Sequence, residues 1–288
     1  MQKLDKSELI FKILAYSFVT LFAIICLYPF VYTLSASISG RVAFETGKVV
    51  LLPKDIQFET FKFIYNDKSF WISYCNTIFY TLYGTVWGMF ISILGGYALS
   101  KSRLLFNRQF NFFLVFTMWF AAGMMPSYIN YIINGVDTRW GIIFAFGVQA
   151  FNVILLRNYF AGIPKEIEEA AIIDGATEFQ ILGKIYLPMS KAPLATVGLF
   201  YGLSRWNGYF WTRMLLDKDI EQPLQVYLRK MAEDIKDAVE AGTFDTVYYN
   251  GDTLMYAMIV CSIIPIIVVY PYLQKYFARG VNLGGVKE

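Results

Sequence analysis

The sequence predicts an all-α integral membrane fold with six transmembrane helices. Three observations carry this. The 288 residues are 57% hydrophobic and only 16% charged, where a soluble domain carries about a quarter charged residues. The deficit is concentrated in long uncharged runs rather than spread along the chain. Lysine and arginine, finally, are distributed between those runs in a way that fits one alternating orientation.

A helix needs about 20 apolar residues to cross the hydrocarbon core. Ile13–Gly40, Ser69–Ser100 and Gln109–Val136 contain no charged residue. Trp140–Leu156 is a shorter clean run, extensible to Phe160 if Arg157 snorkels to the surface. Ala192–Thr212 is broken only by Arg205, and Thr253–Gln274 is clean again. Pro29, Pro126, Pro265 and Pro271 are expected to kink or end helices, which a membrane bundle tolerates. Cys26, Cys75 and Cys261 lie inside these runs and read as small buried hydrophobes. The first run is too long for the apolar stretch of a cleavable signal and has no small-residue site close behind it, so no such signal is expected.

Orientation follows from the bases. The amino end carries Lys3, Lys6 and Lys12, the connection 101–108 carries Lys101, Arg103 and Arg108 with no acid, and the carboxyl end carries Lys275, Arg279 and Lys287. Residues 216–252 instead hold nine acids against four bases. Both termini are therefore expected inside and the acidic loop outside. Within that loop, the apolar positions from Leu224 to Ile235 recur at roughly helical spacing. Two readings stand: a solvated surface helix, or a docking surface for an external protein.

Composition also excludes functions. A net charge of +3 is too small to suggest nucleic acid. The chain has no histidine, which removes the commonest metal ligand and general base. No catalytic residue, metal ligand or cofactor is expected of it. Gly47-Lys48 is followed by Val and Gly183-Lys184 by Ile, so neither opens a phosphate loop.

One inner connection has the chemistry of a helix–turn–helix. Pro164 suits a helix start, and Glu166, Glu168 and Glu169 near that end favour the dipole. Gly175 can adopt the left-handed conformation that closes a helix after Asp174. A second short helix then runs to Pro188. Ala170 and Ala171 offer little bulk, so another protein surface can approach closely.

The pattern Glu169-Ala170-Ala171, two residues, Asp174-Gly175-Ala176, eight residues, Ile185-Tyr186-Leu187-Pro188 resembles the cytoplasmic coupling loop of ABC-importer permeases. A lone Glu-Ala-Ala is ordinary helix composition; the whole pattern on the inner side of a six-span chain is specific. The stretch Ser204–Trp211 with Pro223-Leu224, and the glycine-rich tail from Gln274 onward, are similar to the smaller permease of carbohydrate importers of the maltose-transporter type. The tail most resembles permeases for aldouronates and other complex oligosaccharides.

The resemblance implies a type I ABC-importer permease fold. It implies an N-terminal segment with the first helix and external loop at 1–71, a five-helix core at 72–274 and a cytoplasmic tail at 275–288. The partners implied are an extracellular solute-binding protein, a second, homologous permease chain in a heterodimer, and two ATP-binding subunits that hold ATP and Mg, in a bacterial plasma membrane. Glu169, Ala170, Ala171, Asp174 and Gly175 would couple to the ATPase, Glu169 by pairing with a base there, and Gly284, Gly285 and Lys287 of the tail would contact it.

For the substrate path, polar groups inside spans come first, because they are costly in hydrocarbon. Gln149 and Asn152 lie three apart on the fourth span, hence on one face; interhelical hydrogen bonding is the other reading. Tyr201, Trp206 and Asn207 lie on the fifth, where an interfacial aromatic belt competes for the two rings. Arg205 sits about 20 Å above the inner end of that span at about 1.5 Å per residue. It either snorkels to the outer surface or faces the cavity, where its planar fork would suit a carboxylate sugar. An ion-coupled secondary transporter or channel is the competing class, but no span contains the carboxylate or histidine such a protein would use. An intramembrane enzyme lacks paired carboxylates in the bilayer as well as histidine.

Overall fold

The computed structural model describes residues 6–120, 122–243 and 249–284, with side chains beyond 272 left aside. Every element among them is helical. The chain divides into two compact units, 1–68 with 228–264 and 69–227 with 265–288.

The first unit contains α1 (Lys6–Ser37), α2 (Arg41–Glu45) and α3 (Glu59–Asn66). None of the most apolar stretch of α1 is covered by protein, as a helix surrounded by lipid requires. Its last turn is different. Ser35 Oγ donates to Leu51 O at 2.6 Å, and Thr60 Oγ1 to Ser37 O at 3.0 Å. Ser39 Oγ accepts from Lys54 N at 3.1 Å. Ser37, Ser39 and Thr60 are fully buried there, so these hydroxyls do for the loop after α1 what a ladder does for a sheet.

The second unit opens with α4 (Lys68–Ser100), followed by α5 (Asn107–Trp119), α6 (Met124–Ile133), α7 (Arg139–Ala145) and α8 (Ala150–Ala161). Short helices α9 (Lys165–Ile173), α10 (Glu178–Ile181) and α11 (Leu187–Met189) lead to α12 (Lys191–Trp206) and α13 (Phe210–Leu215). The remaining helices, α14 (Leu224–Glu240) and α15 (Gly251–Gly284), carry residues of both units.

Among the described residues three helices are long and apolar enough to cross a membrane alone: α1, α4 and α15. The predicted third span is instead two helices, α5 and α6, bent by 117°. Gly123 at φ +89° precedes α6 and Pro126 sits in its first turn, so the chain cannot continue straight. The fourth is α7 and α8, bent by 45°. The predicted fifth stops short: α12 has 16 residues, about 24 Å at 1.5 Å per residue, and Asn207-Gly208-Tyr209 separates it from α13. Breaks of this kind are tolerated at membrane depth where they line a cavity or are buried in protein. The cysteines also depart from expectation, since Cys26 and Cys75 are exposed and Cys261 half-buried. Lipid rather than protein is what covers an apolar helix face in a bilayer.

Packing in this unit depends on a stripe of small residues along α4. Gly84, Gly88, Ser92 and Gly96 recur every fourth position and are therefore on one face. A Cβ at Gly88 would stand 2.7 Å from Gly147 O and 2.8 Å from the Tyr201 ring; at Gly96 it would stand 3.0 Å from Leu156 Cβ. Ser92 and Tyr201 share a hydrogen bond of 2.6 Å. Lipid tails give little hydrophobic drive between helices, so close backbone approach of this kind is what holds them together. At the other end of α4, Asn76 Nδ2 donates to Ile220 O and Gln222 O at 2.8 and 3.0 Å, and Tyr80 to Glu221 O at 2.9 Å.

Candidate translocation cavity and coupling helix

The bend between α7 and α8 builds the wall of a cavity of about 560 Å³. Gly147 is packed against the Trp87 ring with no room for a Cβ, and residues 146–149 connect the two helices as irregular backbone. Two groups meet that irregular backbone. Arg205, half-buried on α12, donates from its guanidinium to Phe146 O. Tyr201 accepts from Gln149 N at 3.1 Å through its hydroxyl.

The cavity has a polar side and an aromatic side. Gln149, Ser204, Arg205 and Asn207 supply the first, with Gln149 Nε2 donating to Ser204 Oγ at 2.9 Å. Tyr131, Phe146 and Trp211 supply the second; their centroids are 5.0 Å apart for Tyr131–Phe146, 5.0 Å for Tyr131–Trp211 and 6.2 Å for Phe146–Trp211. A concave, largely apolar site with a few convergent polar groups is the usual form of a small-molecule site.

Of the six residues predicted for the path, Gln149, Arg205 and Asn207 line this cavity. Asn152 is fully buried and donates to Gln149 Oε1 at 3.1 Å, so it orients Gln149 from behind. Tyr201 is also fully buried, against the α4 stripe. Trp206 is turned away into an apolar groove with Pro265 and Tyr270, its ring edge-on to Tyr74. Arg205 does not snorkel to the outer surface, because Phe146 O and the close approach of Gly84 hold it across the helix interface. Ser204 and the aromatic side were missed. Trp211 lay in a stretch already singled out, but nothing in a single sequence tells which rings converge.

The loop around α9, expected to couple to an ATPase, follows its turn chemistry closely. Pro164 stands just before α9 as its N-cap, and Glu166 and Glu168 occupy the first turn. At the far end, Gly175 takes φ +79°. Ala176 N then bonds Ala171 O at 2.9 Å and Gly175 N bonds Ile172 O at 3.0 Å, the paired closure that a left-handed glycine permits. A Thr177–Gln180 capping box opens α10. A π-turn over Leu182–Tyr186 precedes Pro188, whose missing N–H would have left an α-helical register one bond short. Not one residue of α9 is buried. Glu169, Ala170, Asp174 and Gly175 are exposed, and Ile173 is 86% exposed.

Behind α9 is a charge cluster the sequence reading did not assemble. Lys101 Nζ is 2.7 Å from Glu168 Oε2 and donates to the Tyr186 hydroxyl at 2.8 Å. Tyr186 donates to the same Glu168 oxygen at 2.7 Å. The ammonium also lies over the rings of Tyr97 and Tyr186, 4.2 and 4.0 Å from their centroids. Arg103 bridges Glu168 (3.1 Å) and Glu178, and Tyr97 donates to Glu178 Oε2 at 2.6 Å. Burial works against the Glu168 carboxylate, but the Lys101 ammonium and Tyr186 hydroxyl hold it below the usual range. Burial pushes Lys101 down despite Glu168 beside it. The signal was present, as bases without acids at 101–108 and acids in α9, but pairing them needed the fold.

Gly284 is the last described residue of α15, and Gly285 and Lys287 lie outside the described residues.

Broken helices around a polar and aromatic cavity, with an uncovered short helix on one connection, define a membrane permease. Residues 71–283 match the family described as the binding-protein-dependent transport system inner membrane component. The polygalacturonan/rhamnogalacturonan transport system permease protein YtcP of Bacillus subtilis (strain 168) is 34% identical over 286 residues, 96% of this chain and 98% of that one. Protein LplC of the same organism is 31% identical, covering 91% and 90%. A chain from the crystal structure of a bacterial ABC transporter involved in the import of the acidic polysaccharide alginate superposes with a TM-score of 0.88 and 46% identity, over 96% of this chain and all of the other. The chain belongs to the family of binding-protein-dependent transport system inner membrane components. It is the permease component of an ABC importer, and its relatives are transport permeases rather than enzymes.

Proposed function

We propose that this permease carries an acidic oligosaccharide, a uronate-containing chain, delivered by an extracellular binding protein. The observation that carries the reading is Arg205 in the cavity wall, beside Gln149, Ser204 and Asn207. A guanidinium offers paired donors that match a carboxylate. Aromatic faces opposite suit the C–H surfaces of a sugar ring, and the amides suit its hydroxyls. The names of the relatives, polygalacturonan/rhamnogalacturonan and alginate, support the same charge.

In this reading α9 docks on an ATP-binding subunit through Glu169, Ala170, Ala171, Asp174 and Gly175, with Gly284, Gly285 and Lys287 of the tail reaching the same partner. ATP and Mg are held by two such subunits and no cofactor by this chain. A second, non-identical permease completes the path, and both termini are cytoplasmic. Support comes from the bare surface of α9 and from the distribution of bases.

The test is Arg205→Gln in the reconstituted transporter, with an acidic oligosaccharide and its neutral counterpart supplied in turn. Removing a charged partner of a bound carboxylate should lower uptake of the acidic sugar by about ten- to a hundredfold, with the neutral sugar within about threefold of the parent protein. Equal loss for both sugars would make Arg205 a structural tie to Phe146, and no loss for either would remove it from the path.

A further inference from the structure

Lys101 follows directly on α4 and is only 8% exposed, a state lysine seldom adopts unless it is paired. The ion pair it forms with Glu168 is 9% and 13% exposed on its two sides. Exposed ion pairs contribute little, but a pair this covered strands a charge if either partner is lost. Two cations, two carboxylates and two tyrosine hydroxyls share the cluster, and together they join the inner end of α4 to α9 and α10.

The middle of the same helix meets the cavity wall. From Lys68 to Ser100 α4 runs without a break or a proline, about 50 Å at 1.5 Å per residue. A Cβ at Gly84 would stand 2.8 Å from Arg205 Nε, and one at Gly88 2.7 Å from Gly147 O and 2.8 Å from the Tyr201 ring. Ser92 is hydrogen-bonded to Tyr201, whose hydroxyl accepts from Gln149 N. One continuous helix thus has a charged grip on α9 below and backbone-close contact with the cavity wall above. Packed cores of this kind shift between discrete arrangements rather than deforming continuously.

We propose that the Lys101–Glu168–Tyr186 cluster is a permanent clasp that makes α9 and α4 one moving body, so that displacement of α9 is delivered along α4 to Arg205 and Gln149. The three are positioning residues: none lines the cavity, and they act through α4. The clasp stays shut through the cycle, because opening it would leave a nearly covered ammonium and carboxylate without partners. This rests on the reading of α9 as the helix that docks on the ATPase.

The experiment uses the whole transporter in liposomes, in a background without Cys26, Cys75 and Cys261, and reads uptake per ATP hydrolysed. Lys101→Cys and Glu168→Cys alone should keep ATP hydrolysis while uptake per ATP falls about tenfold, the scale of a lost charged hydrogen bond. Bridging both cysteines in the double variant with a short bifunctional thiol reagent should bring the ratio back to within about twofold of the parent. Tyr186→Phe keeps the ring under Lys101 and removes only the hydroxyl, so it serves where the cysteine variants fail to assemble; its ratio should fall about threefold. A bridged double variant that stays inactive would show a latch that must open, and parent-like ratios in the single variants would show no clasp; either overturns the proposal alone. Parent-like uptake in a Glu169→Lys variant would overturn the docking reading of α9 and the clasp with it.

Discussion

At Gly88 a Cβ would stand 2.7 Å from the carbonyl oxygen of Gly147 and 2.8 Å from the Tyr201 ring, so even alanine forces α4 away from the cavity wall. Overpacking costs typically about 1–3 kcal/mol. Gly88→Ala should therefore lower the melting temperature of the purified transporter and its uptake together. Gly95→Ala is the control: its Cβ would meet Val153 at an ordinary 3.5 Å and should change neither measurably. Residue-level legibility was uneven for a physical reason. Spacing alone put Gln149 and Asn152 on one face, and the expense of a charge in hydrocarbon singled out Arg205. Sequence could not tell that Asn152 backs the wall while Gln149, the extended residue that caps α8, lines it, since both are amides three residues apart in one apolar run. The α4 stripe could have been found from its four-residue recurrence, but small residues carry no chemistry that draws attention.

Among the elements, the loop around α9 was the most legible, because proline, glycine and capping residues act within a few positions of themselves. Gly175 at φ +79° illustrates this: a β-branched side chain is strained there by about 1–3 kcal/mol. Gly175→Val should abolish substrate-stimulated ATP hydrolysis and uptake while the chain still inserts and assembles. Glu169→Lys should do the same by reversing the charge of an exposed contact, with no loss of thermal stability, since Glu169 has no structural burden in α9. Parent-like uptake in either variant would count against α9 as the docking helix. The membrane spans were legible as apolar runs but not as shapes. An apolar run looks the same whether its helix is straight or bent by 45° between α7 and α8, and the Trp87 ring that closes on Gly147 at the bend is remote in sequence. The end of α12 at Asn207-Gly208 was signalled by those two residues, yet composition joined them to the span.

For the whole molecule, the proposed topology and assembly rest on the base distribution and on α9 being read as a docking helix. Leu105 is 73% exposed beside Arg103, and the Lys236 side chain is 75% exposed on α14. In a cysteine-free background, a cysteine at Leu105 should label only from the cytoplasm and one at Lys236 only from outside. Labelling of the second from the cytoplasm would reverse the acidic loop. In the proposed assembly one chain offers one docking helix, while a pair of ATP-binding subunits would need two. Coexpressed with those subunits and the binding protein but no second permease, this chain should give no ATP-driven uptake; robust uptake would mean that two copies of it suffice. The most direct measurement is uptake into ATP-loaded proteoliposomes holding the complete transporter, with a uronate oligosaccharide and a neutral oligosaccharide of equal length supplied together. Accumulation of the uronate that depends on ATP and on the binding protein, with the neutral chain left outside, is the expected result. Accumulation of the neutral chain in preference, or entry of either without ATP, would contradict the account.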